Sequence, residues 1–319
     1  MTPPAVSVVM NVRNGARTLA AAIASVRAQK CPDWELIVWD DGSGDGSLAL
    51  AQGVDDERIR CFQSPQPTNL GIARRAAIAQ ARGRWIAFLD QDDLWLPDKL
   101  HLQLQCATSK VGLVYGRTVS FFEDGSRRDF DRHHEFRPLP EGDIFQLLVR
   151  RSCFVNMSSA MLLRDAVLAL PAWPEWLQVT PDYHLFLAVA RDHAARAVQA
   201  PVCLYRVHPG GMTGTSLGRI QQESLWLLDF WQAHIPAALL QERQRVHQTV
   251  LAYVELRQRG KRGAGLRRLL QQGSLWFLLS RPGALAWRAL RRRVQTPCWQ
   301  RALRNSGQAL PAIPGCVPR

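Results

Sequence analysis

Several features are missing from this sequence, and each absence removes a class of protein. No run of eighteen apolar residues occurs in the 319-residue chain, so no segment is long enough to span a bilayer as a helix. The first residues, Met1-Thr2-Pro3-Pro4, carry no basic stretch followed by an apolar one, the pattern of a secretory signal. The protein is therefore expected to begin and stay in the cytosol. Seven cysteines (Cys31, Cys61, Cys106, Cys153, Cys203, Cys298 and Cys316) are scattered, odd in number and never spaced C-x-x-C. That excludes a disulfide framework and a structural zinc site, and they are expected to be reduced packing residues. There is no internal repeat. A 47% hydrophobic content is enough for one large core or two modest ones.

One further absence is local. After Glu255 the chain has no acidic residue, yet it carries fourteen Lys and Arg residues from Arg257 to Arg319. Those fourteen exceed the whole-chain excess of +13, so the rest of the molecule is close to neutral and the basic character belongs to a tail. Arginines interleaved with Trp276, Phe277, Trp287 and Trp299 suit a helix lying in an anionic lipid surface. The same composition serves nucleic-acid binding or a solvated helical face. Helical spacing is visible at Leu225, Leu227, Leu228 and Phe230, and again at Leu266, Leu269 and Leu270.

What is present upstream has a different rhythm. Residues 6–10, 35–39 and 85–89 are short apolar, β-branched or aromatic runs of the kind that form buried strands, and another strand is expected at 59–62. Between them, residues 18–29 place Leu19, Ala22, Ile23 and Val26 at helical spacing, with Thr18 as the expected cap, and residues 71–82 are Ala- and Arg-rich and helical. Strand, helix, strand, helix, strand is the pattern of a parallel α/β sheet covered by helices. Beyond it, 111–115 and 118–122 read as two strands flanking a turn. Asp124-Gly125 is a second turn signal, 127–137 a charged loop with surface His133 and His134, and 158–163 a strand. Residues 182–190 read as a helix with Thr180 as cap and Pro181 in its first turn, and His193 as a surface residue. An extended segment at Tyr205-Arg206-Val207-His208 ends in Pro209-Gly210-Gly211, taken as the end of the α/β body.

In such sheets ligands collect at the carboxyl ends of the strands. Three strands here end in polar clusters, at 11–14, 40–43 and 90–93. Asp90-Gln91-Asp92-Asp93 is an oxygen-rich group suited to Mg²⁺ or Mn²⁺, which bridges phosphate oxygens and neutralises a departing diphosphate. It could equally be a solvated acidic turn before the helix that follows Leu96-Pro97-Asp98.

These segments resemble the family 2 glycosyltransferases of GT-A fold. Val6-Ser7-Val8-Val9-Met10-Asn11-Val12-Arg13-Asn14-Gly15 is similar to their opening strand, and Glu35-Leu36-Ile37-Val38-Trp39-Asp40-Asp41-Gly42-Ser43 to their second. Asn69-Leu70-Gly71-Ile72-Ala73-Arg74 resembles the helix before their D-x-D motif, which is matched by Asp90-Gln91-Asp92. The resemblance implies that Asp41 holds the nucleotide base, with Asp40 supporting the turn beside it. It makes Asp92 the direct metal ligand, Asp90 a contact to ribose or to metal-bound water, and Arg74 a basic neighbour of the nucleotide. The family's first loop usually reads Pro-x-Tyr-Asn; Asn11-Val12-Arg13-Asn14 departs from it, so the aromatic stacking on the base is lost. The Arg13 guanidinium can stack in its place or reach a phosphate. Asn11, Arg13, Asp40, Asp41, Arg74 and Asp90 thus form the expected nucleotide-binding set.

Pro181-Asp182-Tyr183-His184-Leu185 resembles the family's Glu-Asp-Tyr-Asp-Leu segment, which implies that Asp182 is the catalytic base although Pro181 replaces the Glu. Taken by itself, Asp182 is also a carboxylate favoured by a helix dipole. Tyr205-Arg206-Val207-His208 resembles a recurring Tyr-Arg-x-His segment, making His208 a second metal ligand or a buried structural histidine.

The expectation is an α/β, Rossmann-like GT-A domain over 1–215, followed by a basic helical extension over 216–319. Its implied function is inverting sugar transfer from a nucleoside-diphosphate sugar, UDP favoured, to a saccharide or lipid-linked acceptor in cell-surface polysaccharide or glycolipid synthesis. The divalent cofactor would be Mg²⁺ or Mn²⁺. The location would be peripheral on the inner face of the cell membrane, with the tail on anionic lipid rather than nucleic acid. The alternatives are an inactive nucleotide-sugar-binding or scaffold protein, and a nucleotidyltransferase. The latter is disfavoured because Asn14-Gly15-Ala16-Arg17 is a poor phosphate loop.

Overall fold

The computed structural model describes residues 2–122, 127–128, 136, 138–170, 174–208 and 216–257. Their contacts divide the chain into two compact units, the first running to His208 and the second beginning at Pro209.

The first unit is built on a nine-stranded mixed sheet. Four parallel strands, β1 (Val6–Val12), β2 (Trp34–Asp40), β3 (Ile59–Gln63) and β4 (Trp85–Phe88), lie in the order β3-β2-β1-β4. The helices α1 (Ala16–Arg27), α2 (Ser47–Gln52) and α3 (Leu70–Ile78) connect them. Next to β4 comes β8 (Met161–Leu163), antiparallel, then β6 (Val111–Phe122), β9 (Ala194–Val207) and β5 (Leu94–Trp95), with β7 (Arg127–Arg128) pairing β6. The remaining helices of the unit are α4 (Lys99–Cys106), α5 (Phe145–Arg151), α6 (Arg164–Leu168) and α7 (Pro181–Asp192).

Alternation explains the core. Val6, Val8, Met10 and Val12 of β1 point to the same face as Trp34, Leu36 and Val38 of β2 and as Trp85 and Ala87 of β4. They meet Leu19, Ala22, Ile23 and Val26, the apolar stripe of α1. Leu19 and Ile23 are each at most 1% exposed, and burying side chains of that size stabilises by about 1.5–3 kcal/mol apiece. The intervening β1 residues Ser7 and Val9 are buried too, because α3 packs on β1 and β2 with Ala73, Ala77 and Ile78 inward. A strand buried on both faces explains why the sequence shows a continuous apolar run there rather than an alternating one.

The structure corrects several expectations. Thr18 does not cap α1; the helix begins at Ala16, and its first N–H groups are met from the β2–α2 loop. Ser47 Oγ accepts from Gly15 N (2.9 Å) and Asp45 Oδ2 from Ala16 N (2.9 Å). Residues 111–122 are one strand, not two around a turn. Gly116 marks an irregularity in its register with β9, where a Cβ would meet Val202 Cγ2 at 2.7 Å. The strand expected at 158–163 is a 3₁₀ turn (Met157–Ser159) followed by β8. Arg127 and Arg128 pair with Phe121 and Ser120 instead of lying in a loop. His193 is half-buried against Gly112, not a surface residue. At the start of α7, Thr180 occupies the cap position without a capping side-chain bond. The expected Asp124-Gly125 turn, His133, His134, Cys298, Cys316 and the 266–270 helix lie outside the described residues. The five described cysteines are free thiols.

In the second unit, α8 (Leu217–Phe230) and α9 (Ala237–Arg257) pack against each other through a short 3₁₀ turn (Gln232–His234). The buried pair His247 and Gln221 joins them at 2.7 Å, and burial lowers the His247 pKa to about 3, so the imidazole is neutral. No described helix is long and apolar enough to cross a membrane.

Candidate active site

The parallel strands deliver their carboxyl ends to one edge of the sheet, and β9, parallel to β6, brings His208 to the segment after β4. Asp90, Asp92 and Asp93 follow β4 directly and are fixed by bonds from distant elements. Ser158 Oγ accepts from Asp90 N (3.1 Å) and donates to Asp93 Oδ2 (2.6 Å). Arg206 donates its backbone N–H to Asp93 Oδ1 (2.9 Å) and its Nε to the Asp92 carbonyl (2.8 Å). Asp93 is fully buried, and burial pushes its carboxyl well above the ordinary carboxylate range, with Asp90 and Asp92 adding to the push. It anchors β9 to the acidic segment and presents no surface to a ligand.

The two outer carboxylates are partly exposed. Asp90 keeps 42% of its side-chain surface open and accepts from Arg74 Nη2 at 3.2 Å. Desolvation raises its pKa to about 6; Arg74 opposes the rise, while Asp92 and Asp182 add to it. The influence of Asp182 is informative, because that residue lies 92 positions further along the chain, in the first turn of α7. Its carboxylate, with Oδ1 accepting from Tyr183 N at 2.8 Å, shares the electrostatic environment of the acidic segment. Asp92 Oδ2 lies 2.9 Å from His208 Nε2, with Asp92 29% and His208 17% exposed. Among the described residues no group of three His, Cys, Asp or Glu side chains is arranged for a metal ion. Asp92 Oδ2 and His208 Nε2 are hydrogen-bonded to each other; with that bond opened, a carboxylate oxygen and an imidazole nitrogen are donors that Mg²⁺ or Mn²⁺ would accept beside phosphate oxygens.

At the other end of the cleft, Asp41 is 4% exposed and accepts from Thr68 N (3.0 Å) and Thr68 Oγ1 (2.7 Å). Arg13 Nη1 lies 3.8 Å from Asp41 Oδ2 and donates to Thr68 O at 3.3 Å. Asn11 is half-buried, and its Nδ2 has no hydrogen-bond partner among the described residues. Asp40, placed in the expected nucleotide-binding set and beside the turn, is 0% exposed, and its Oδ2 accepts from Ser43 N (3.1 Å) in the turn that carries Asp41.

Sequence reasoning passed over Thr68, Gln91, Ser158 and Arg206. Gln91 lay in plain sight between the two matched carboxylates. Ser158 carries no local signal, since its part depends on two partners more than sixty residues away.

A mixed sheet whose parallel strands end in Asp41 and in the Asp90-Gln91-Asp92 segment is the architecture of GT-A glycosyltransferases. Residues 7–169 match the family model described as Glycosyl transferase family 2, and the chain belongs to that family. It is similar to the UDP-Glc:alpha-D-GlcNAc-diphosphoundecaprenol beta-1,3-glucosyltransferase WfgD of Escherichia coli. The two are 36% identical over 228 residues, which cover 70% of this chain and 86% of that protein. Among solved structures, the mannosyltransferase PcManGT of Pyrobaculum calidifontis, in complex with GDP-Man and Mn²⁺, superposes with a TM-score of 0.59 at 18% identity. The match covers 92% of this chain and 86% of that one. TarS of S. aureus in complex with UDP-GlcNAc gives a TM-score of 0.56 at 14% identity, over 92% of this chain and 81% of its own. These structural likenesses carry the fold.

Proposed function

We propose that this glycosyltransferase moves a sugar from a UDP-sugar to a hydroxyl of a lipid-linked saccharide, with inversion at the anomeric carbon, in cell-surface polysaccharide or glycolipid synthesis. The observation that supports the proposal is the pair of carboxylates directly after β4, with Asp90 Oδ1 3.2 Å from Arg74 Nη2 and Asp92 Oδ2 2.9 Å from His208 Nε2. The UDP donor and the lipid-linked acceptor are favoured by the name of the 36% identical Escherichia coli relative.

In this scheme Asp41 accepts the imide N–H of the base, and Arg13 lies beside it. Asp90, braced by Arg74, meets the ribose, and Asp92 with His208 would hold a divalent ion at the diphosphate. When bound, that ion offsets the negative charge of the departing diphosphate. Asp182 takes the proton of the acceptor hydroxyl as its oxygen bonds to the anomeric carbon and the bond to the diphosphate breaks. The first turn of α7 stabilises negative charge at Asp182, which suits a base.

The catalytic domain is taken as 1–215 and the helical extension as 216–319. The extension places the enzyme on the inner face of the membrane through its acid-free, fourteen-cation end. The test is transfer from UDP-sugars to a lipid-linked acceptor in anionic vesicles. Asp182→Asn is expected to lower kcat by about 10²–10⁴ with the protein still folded. Asp92→Asn is expected to remove the dependence on Mn²⁺, and the wild type to sediment with the vesicles. An Asp182→Asn enzyme of undiminished rate would remove the assigned base.

A further inference from the structure

The side chain between the two matched carboxylates does not face the cleft floor. Gln91 turns back onto the loop after β1, where its Oε1 accepts from Arg13 N (2.8 Å) and its Nε2 donates to Arg13 O (3.2 Å). Arg13 is the first residue beyond the β1–β2 ladder, whose last register pair is Val12 with Asp40. Both of its peptide groups are therefore taken up by one side-chain amide instead of a neighbouring strand. The fit is tight: a Cβ at Gly15 would stand 2.4 Å from Gln91 Oε1 and 2.7 Å from its Cδ. The far side of the loop is pinned separately. Asn14, at φ 51°, donates its N–H to Ser43 Oγ and accepts from Gly44 N, both at 2.9 Å.

The clamp has a consequence for the Arg13 side chain. Arg13 is 54% exposed, yet its guanidinium is directed onto Asp41 and the Thr68 carbonyl, at the end of the cleft assigned to the base. A long side chain at the tip of a loop loses considerable rotamer entropy when it is held in one place, and fixing its backbone lowers that cost. We infer that Gln91 is a positioning residue for the donor nucleotide: it locks the backbone of Arg13 so that the guanidinium is pre-set beside Asp41, and it ties the base end of the cleft to the diphosphate end. This rests on the donor reading above. It gives a function to the middle residue of the D-x-D segment, for whose amide Gly15 leaves room.

The experiment is calorimetric titration of the full-length protein with UDP in the presence of Mn²⁺, together with hydrogen exchange of the 13–15 amides without nucleotide. Gln91→Leu is expected to bind UDP about tenfold more weakly, the scale of one well-placed polar contact, and to lose protection at the Arg13 amide. Gly15→Ala, whose methyl displaces the Gln91 amide without changing it, is expected to give the same loss. In an Arg13→Ala background, Gln91→Leu is expected to cost less than about twofold, because no guanidinium is left to place. An equal loss in both backgrounds, or unchanged protection at Arg13, overturns the inference while leaving the donor reading intact. A wild type that binds no nucleoside diphosphate overturns the donor reading and the inference with it.

Discussion

Single side chains in this molecule act mostly by holding others. Asp93 is buried to hold β9, Asp40 to hold a turn, Thr68 to hold Asp41, and Ser158 to join the Asp90 backbone to the Asp93 carboxyl. Ser158→Ala removes an acceptor from one buried group and a donor from another, so it is expected to destabilise the fold by about 2–4 kcal/mol. Urea unfolding measures this, and a loss below about 0.5 kcal/mol would mean that the network is dispensable. The carboxylates proposed to meet the donor were legible in the sequence as candidates. Asp41, Asp90 and Asp92 end strands whose apolar runs are plain, and strand ends are where ligands gather in such sheets. The holding residues were not legible, because their roles come from partners remote in sequence: Ser158 from residues 90 and 93, and Arg206 from residue 92. Asp40, next to Asp41 in sequence, is instead buried in the turn that carries it.

Elements up to β4 follow from pattern alone, since each pairs a short apolar run with a helical stripe. The later sheet was harder to read. A twelve-residue strand interrupted by Gly116-Arg117 looks like two strands around a turn, and only the pairing with β9 shows it to be continuous. The junction of β5 and α4 carries an electrostatic feature that no periodicity signals. Lys99 is fully buried, with Nζ donating to Gln103 Oε1 at 2.6 Å and lying 4.1 Å from the centre of the Trp95 ring. Burial lowers its pKa from 10.5 to about 7. Between those two values the unfolded chain binds a proton there that the folded chain does not, so stability must rise with pH across that window. Below it, both states carry the proton and the folded state keeps its cost. Thermal unfolding from pH 7 to 10 is expected to show a gain on the order of a few kcal/mol in the wild type that Lys99→Met lacks. Parallel pH profiles for the two proteins would contradict the assignment.

At the scale of the whole molecule, the parallel half of the sheet and the mixed half meet at β4 and β8, and each contributes residues to the proposed site. The parallel strands supply Arg13, Asp41, Asp90 and Asp92. The later elements supply His208 from the end of β9 and Asp182 from α7. This division accounts for how the family was read. The matched motifs lie within the first hundred residues, where order and spacing are recognisable, whereas Asp182 and His208 stand far from them in sequence. In the proposed scheme Asp182 stands opposite a diphosphate held at Asp92. In-line attack from the Asp182 side must reverse the configuration at the anomeric carbon. The most direct test is the anomeric proton coupling in the NMR spectrum of the product formed from an α-linked UDP-sugar. A β-linked product is the predicted result, and an α-linked product would contradict the role given to Asp182.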